Sequence, residues 1–361
     1  MMSDLSIFDD LARNKAIHDG SNFQWRVSRQ PEGNLRPNDF EWREAAIPEP
    51  KPGEVLLKTH YLGLAPVMRM YMQGKGAAGE TALRLGDVIH GRGVAQIVRS
   101  RHPSWREGDM VQGQIGWQTY KASAMIDAEK MFRIPQQELP AMFSCKTLSM
   151  TGLSAHAGLF ASGEPRGGDS LLLSGAAGGV GSIVSQLAAN VVGCDVIGIA
   201  GGQEKCRQIL KQGCTAAIDY KKDVLAERLA TLCPNGIDCY FDNVGGETLS
   251  VVLDHLALNA RIVLCGSISE YMLEQPFALH NYTRLRAKEA RMQGFFVYNH
   301  INRWESVMTE LASWILSGQL VPQHDVTPGF ENMPKALARM YAGLNRGAAI
   351  CDVRGEPENW S

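Results

Sequence analysis

The 361-residue chain holds eight cysteines, and none of them forms a Cys-x-x-Cys pair. None occurs before Cys145. Scattered this way in an intracellular chain, they read as small buried hydrophobes, and a disulfide scaffold is not expected at this size. An excess of either charge is missing too. Lys plus Arg number 36 and Asp plus Glu 38, so the formal net charge is −2. That balance gives no global pull toward nucleic acid or an anionic membrane, and no block of Lys and Arg interleaved with aromatics is present. No apolar run reaches the roughly 18 residues needed to cross a bilayer. The first twenty residues are acidic early and lack a continuous apolar stretch, so they do not read as a secretory signal. Leu5, Phe8, Leu11 and Ala12 fit one face of a short helix, with a frayed arm as the alternative. Glu358–Ser361 carries no lipidation box. A cytoplasmic protein is expected, without nucleic-acid or membrane partners.

What is present has two textures. Up to about residue 140 the chain is rich in short β-branched runs. Glu54–Leu62, Val88–Ser100 and Asp109–Tyr120 read as strands, punctuated by Pro48, Pro50, Pro52 and Gly53. They suggest a compact barrel-like β domain. From about residue 169 strand and helix alternate. Ser170–Ser174, Val196–Ala200, Ile237–Phe241 and Arg261–Gly266 read as strands. Gly179–Ala189, Gln203–Gln212 and Gly246–Leu256 have helical spacing. That alternation predicts a doubly wound parallel sheet, covered on both faces, which accounts for runs such as LLL and IVLC. Trp304–Leu316 and Pro334–Leu344 read as helices and Ala348–Val353 as a last strand. The expected layout inserts the α/β domain, 142–319, into a β domain built from 1–141 and 320–361.

Ser174–Ser182 follows a strand and opens a helix, the context that a dinucleotide fingerprint requires. Gly178 would let the backbone approach a pyrophosphate, and Gly181 would let the helix pack closely. The helix start offers free N–H groups to phosphate. The glycine of the strict pattern is replaced by Ala176. Enzymes selective for NAD place an acid at the end of the second strand, about 20 residues on, to hold the ribose hydroxyl. Here that end is Gly201-Gly202-Gln203, while Asp195 is at the strand's other end. Lys205 follows, with Arg207 nearby, and NADP is favoured. Asn243, just past the third strand, reads either as a hydrogen-bond donor at the cofactor crevice or as an Asx turn or helix cap. Zinc alcohol dehydrogenases need a Cys, a His-Glu pair and a four-Cys lobe. His90 precedes Gly91-Arg92 here, and His60 and His102 have no partners at ligand spacing, so no metal is expected.

Taken in order, several segments resemble the prostaglandin reductase/leukotriene B4 dehydrogenase branch of the medium-chain reductases, with the curcumin and alkenal reductases. They are Gly175–Gly181, Gly198–Lys205, Phe241–Glu247, Cys265–Tyr271, Met292–Tyr298, Gly329–Pro334 and Gly343–Gly347. Trp25-Arg26-Val27, Leu64–Met70, Gly93-Val94 and Gly116-Trp117-Gln118 also fit. The resemblance covers most of residues 23 to 353. It implies a GroES-like β domain around an inserted Rossmann domain, no metal, and a homodimer. It implies NADPH held by Ala177, Gly178, Gly179, Val180, Gly181, Lys205, Tyr220, Asn243, Cys265, Gly266, Ser267, Ile268, Ser269, Tyr271, Phe295, Phe296, Val297 and Asn345.

The same resemblance implies hydride transfer from NADPH to the β-carbon of an α,β-unsaturated carbonyl, an enone or enal, with Tyr271 as the catalytic donor to the carbonyl oxygen. Two tyrosines usual in the branch are replaced, by Val67 in Leu64-Ala65-Pro66-Val67-Met68-Arg69 and by His156 in Gly152–His156. Val67, Met68 and His156 are therefore the expected substrate-pocket residues, with fewer phenolic donors than in relatives. A quinone oxidoreductase and a non-enzymatic NADPH-binding protein are the alternatives on the same scaffold.

Overall fold

A computed structural model of the chain describes all residues except 1–4, 14, 77–80, 126–128, 136–138, 272, 274 and 356–361. The C-terminal Glu358–Ser361 thus lies outside the described residues. The chain divides into two compact units, Met1–Ser149 with His324–Ser361, and Met150–Gln323.

The first unit is built mainly from antiparallel strands. Asn22–Val27 pairs with Phe40–Ala45. A seven-stranded sheet runs, in spatial order, through His324–Pro328, Ala348–Asp352, Val55–Gly63, Arg92–Ser100, Met110–Gln114 and Phe132–Arg133, with Tyr120–Ser123 joined to Val55–Gly63. Ala348–Asp352 comes back from the far end of the chain to pair antiparallel with Val55–Gly63. The expected strand from Val88 begins only at Arg92, and Val88 makes an isolated bridge to Arg26. The Asp109–Tyr120 run splits, because Gly116 turns the chain at φ +82°.

Strand Val55–Gly63 shows how pattern becomes packing. Side chains alternate between faces, so Val55 and Leu57 share one face. They enter the same core as Leu62 and Leu64, which have the opposite parity, while Tyr61 enters a second cluster with Val94 and Ile350. A register shift between Thr59 and Tyr61 supplies the extra residue that switches the parity. The larger core centres on Trp25 and Trp117, both 0% exposed. Phe40 stacks on Trp117 with ring centres 6.0 Å apart, and Trp25 donates its indole N–H to the carbonyl of Phe330 at 2.9 Å. Within the N-terminal segment, Leu5–Ala12 takes the helical alternative. A 3-10 turn at Leu5–Phe8 and a helical turn at Asp9–Ala12 seat Phe8 in this core, edge-on to Phe40.

The second unit is a six-stranded parallel sheet in the order Ala216–Asp219, Asp195–Ala200, Ser170–Leu173, Ile237–Asp242, Leu256–Leu264, Arg291–Gly294. The chain leaves Ser170–Leu173 in one direction and returns at Ile237–Asp242 on its other side. That reversal opens the crevice in which doubly wound folds bind ligands, at the carboxyl ends of these two strands. Helices Gly179–Gln186, Gln203–Lys211, Leu225–Leu232 and Gly246–Leu253 make the crossovers. The expected helix to Leu256 stops at Leu253, and Leu256 instead starts a nine-residue strand. Its apolar residues belong to the sheet, and the register shift opposite Ile237 and Cys239, with Asn259 at φ +60°, breaks its periodicity.

Candidate functional site

The glycine-rich turn shows why three of its positions reject side chains to different degrees. Gly175 has φ +61°, a left-handed conformation natural to glycine. A Cβ on Gly181 would come within 2.2 Å of the Gly175 carbonyl oxygen and 2.8 Å of Ala176 Cα. The expected close approach is therefore to the turn's own backbone. A Cβ on Gly178 would meet only the Gly175 oxygen, at 3.2 Å. Gly178 is the extended N-cap of helix Gly179–Gln186, and no side chain caps that helix start. Ala176 is fully buried and donates its N–H to the Ile199 carbonyl, tying the turn to the second strand. The result is a bare, positively polarised helix start of the kind that receives a pyrophosphate.

Beside it lies a polar knot that sequence reasoning did not foresee. Asp242, 0% exposed, accepts from Ser174 Oγ at 2.9 Å, Tyr240 OH at 2.7 Å, Val244 N at 2.9 Å and Gly245 N at 3.0 Å. Burial, with Asp242 beside it, holds the Tyr240 phenol well above the usual range. Ser174 Oγ in turn accepts from the Asn243 N–H at 2.8 Å. Asn243 donates its side-chain amide to the Ser174 carbonyl at 2.8 Å, while Gly245 caps the next helix. Of the two readings of Asn243, the helix cap is absent, and the asparagine cross-links the two strand ends.

Cys265–Tyr271 continues along this edge. Cys265 N and Gly266 N both donate to the Asp242 carbonyl, and Ser269 Oγ donates to the Val244 carbonyl. Burial pushes the Cys265 thiol up to about 12, so it is no thiolate at neutral pH. Tyr271 is half-buried, and its hydroxyl would lie 3.2 Å from a Cβ on Gly266. Burial raises its phenol above the ordinary value of 10.0. Ile268 is exposed.

At the end of the second strand, Gly202 takes φ +96° and caps helix Gln203–Lys211, which carries Lys205 in its first turn. The sequence shows no acid here, but the third dimension brings one. Asp219, from the adjacent strand, accepts the Gly202 N–H at 2.8 Å. The ring of Tyr220 lies over Gly201, where a Cβ would come within 2.7 Å of it. Phe295 follows the last strand, with its ring 2.8 Å from where a Cβ on Gly158 would sit, Phe296 is exposed, and Val297 begins a 3-10 turn. Phe295 and Phe296 help to line an open cleft of about 520 Å³ with Ala161, Ser162, Asn299 and His300.

Four predicted residues remain. Asn345 belongs to the β unit, and its side-chain amide donates to the Gly347 carbonyl at 2.8 Å. Val67 is half-buried at the start of helix Met68–Met72, and Met68 is 3% exposed within the core. His156 is 3% exposed; its Nε2 lies 2.8 Å from a Glu310 carboxylate oxygen, and Trp314 stacks on its ring. Burial lowers the imidazole below its usual value. Among the described residues, no group of three or more His, Cys, Asp or Glu could hold a metal ion.

Comparison with known proteins agrees with this architecture. The profile described as "N-terminal domain of oxidoreductase" matches residues 24–134, and the one described as "Zinc-binding dehydrogenase" matches 179–313. The chain is 35% identical to the NADPH-dependent curcumin reductase of Escherichia coli, covering 93% of this chain and 98% of that protein. It is 34% identical to a 2-alkenal reductase (NADP(+)-dependent) of Nicotiana tabacum, covering 93% and 98%. Among solved structures, CurA from Vibrio vulnificus in complex with NADPH aligns with a TM-score of 0.85 at 32% identity, covering 92% of this chain and 99% of that one.

Proposed function

The chain belongs to the zinc-independent prostaglandin reductase branch of the medium-chain dehydrogenases/reductases, and from that premise we propose that it is an NADPH-dependent ene-reductase of α,β-unsaturated carbonyl compounds. The observation that carries the reading is the likeness, over 93% of the chain, to reductases of curcumin and of 2-alkenals. The bare helix start at Gly178, where a Cβ would meet only the Gly175 oxygen, fits a pyrophosphate. Gly201-Gly202, Tyr220 and Lys205 suit an adenosine 2′-phosphate, which offers Lys205 an anionic partner. Cys265–Tyr271, Phe295–Val297 and Asn345 complete the proposed cofactor contacts.

When bound, NADPH supplies a hydride for the β-carbon of the substrate. The chain's own part is to orient and polarise. Hydride arrival at that carbon places negative charge on the carbonyl oxygen, and Tyr271 is the proposed donor to it. A phenol keeps its proton at neutral pH, and burial raises that of Tyr271 further, so Tyr271 can donate. Loss of one such donor typically costs about 3 to 4 kcal/mol. Val67 is the proposed pocket side chain. Met68 and His156 are proposed with it, as the resemblance implies. A homodimer is part of the reading; strand Arg291–Gly294 stands at the edge of its sheet, open to a second copy. A cytoplasmic setting is also part of it, and among the described residues no helix is long and apolar enough to cross a membrane.

The test is NADPH consumption against enals, enones and quinones, with light scattering for the dimer. Turnover of enals and enones in preference to quinones is expected. Turnover of quinones alone supports the quinone oxidoreductase reading, and turnover of nothing supports a binding protein.

A further inference from the structure

We infer that Asp219 is a specificity-determining residue for the cofactor: from the strand next to the usual place of an acid, its buried charge opposes the 2′-phosphate of NADPH and leaves the site open to NADH. That a dinucleotide binds here rests on the proposed function; the placing of the carboxylate at this turn does not.

Strand Ala216–Asp219 runs parallel to Asp195–Ala200, and Asp219 is in register with Ala200, the last residue of that strand. Neighbouring strands lie about 4.8 Å apart. The acid missing from the end of the second strand is thus matched by one a single strand away. In doubly wound folds the adenosine ribose is held at that strand end. Asp219 Oδ1 accepts from Gly202 N at 2.8 Å and from Lys221 N at 3.2 Å. The first bond ties the carboxylate to the residue that caps helix Gln203–Lys211 at φ +96°.

Neither bond needs a charge. Both fall on Oδ1, and an asparagine would accept them equally well. Oδ2 is buried, with no hydrogen-bond partner among the described residues, and Asp219 as a whole is 9% exposed. Water screens a carboxylate in that setting poorly, so its field reaches across the turn. The thiol of Cys206, next to Lys205, responds to it: burial first, then the charges of Asp219 and Asp223, raise it above its usual range. Asp223 is the less confined of the two acids, with its side chain 34% exposed and Arg228 3.9 Å away.

Lys205 and Asp219 therefore act in opposite senses at one strand end. A phosphate monoester carries up to about two negative charges at neutral pH. The ammonium favours it there and the carboxylate disfavours it. NADH presents a neutral hydroxyl at the same place, which responds weakly to either charge.

The test titrates NADPH and NADH by fluorescence into the wild type and Asp219→Asn, which keeps the Oδ1 acceptor and removes the charge. A charge-assisted contact with Lys205 favours NADPH by about ten- to a hundredfold, and the carboxylate offsets part of that, so the wild type should prefer NADPH by less than about a hundredfold. Asp219→Asn should bind NADPH about tenfold more tightly, hold NADH within about twofold of the wild type, and melt near the wild-type temperature without cofactor. A residue that only staples the turn would shift both cofactors by one factor. The proposal is overturned if the NADPH-to-NADH preference is unchanged or falls in the variant. It is overturned as well, whether or not the variant folds, if the wild type prefers NADPH by more than about a hundredfold. Binding of neither cofactor by the wild type would overturn the dinucleotide reading and the proposal together, whereas binding of both with an unaltered preference in the variant overturns the proposal alone.

Discussion

The Ser174 hydroxyl donates to the Asp242 carboxylate across the two central strands of the parallel sheet, at 2.9 Å and without solvent exposure of either residue. The contact lies at the reversal of strand order, one residue before the glycine turn. Asp242→Asn keeps the shape but replaces one acceptor oxygen by a donor among groups that already donate. A stability loss of about 2 to 4 kcal/mol is expected in urea unfolding, more than one charge-assisted hydrogen bond contributes. NADPH affinity should fall as well. Ser174→Ala, which removes one donor, should cost less. An Asp242→Asn protein as stable as the wild type would show that the knot is incidental.

The glycine turn separates folding from binding. Gly178→Ala meets a single oxygen at 3.2 Å and a permitted backbone conformation, so the fold should persist while NADPH binding drops. Gly181→Ala drives a methyl to 2.2 Å from the Gly175 oxygen, so thermal stability itself should fall. Melting temperatures beside NADPH titrations check both. Equal stability of the two variants would contradict the assignment of Gly181 to the turn's packing.

On the proposed reading, Lys205 sets the choice of cofactor. Lys205→Ala should weaken NADPH about tenfold or more and NADH little, because only NADPH carries the 2′-phosphate. Lys205→Glu should go further through repulsion. Fluorescence titration with both cofactors decides it, and an equal loss for NADH and NADPH would remove the lysine from the phosphate site.

Much of this was legible in the sequence. Strand Ser170–Leu173, the glycine turn and helix Trp304–Leu316 announced themselves through apolar runs and spacing. Strands Asn22–Val27 and Arg291–Gly294 did not: the first mixes polar and apolar residues, and the second is four largely exposed residues at a sheet edge. The polar knot was harder to see. Asp242 and Ser174 are 68 positions apart, and Asp219 reaches Gly202 only because their strands are neighbours. Contacts of this kind have no period to reveal them.

Burial depresses the His324 imidazole to about 4, with Lys146 nearby opposing its charge. Its Nε2 lies 3.0 Å from Thr147 Oγ1. The unfolded chain takes up a proton near pH 6.5 that the folded chain refuses. The neutral imidazole therefore contributes stability above about pH 6.5, and that contribution is lost as pH falls toward 4. The melting temperature should decline from pH 7 to 5, before most carboxylates titrate, and less steeply in His324→Asn. The same slope in the variant would show that this histidine is not the cause.

The most direct test follows one atom. Reduction of an enone with NADPH deuterated at the transferable position should place deuterium on the β-carbon of a saturated ketone, read by NMR of the product. Deuterium on the carbonyl carbon of an unsaturated alcohol, or none on carbon, would contradict the assignment of this chain to carbon–carbon double-bond reduction.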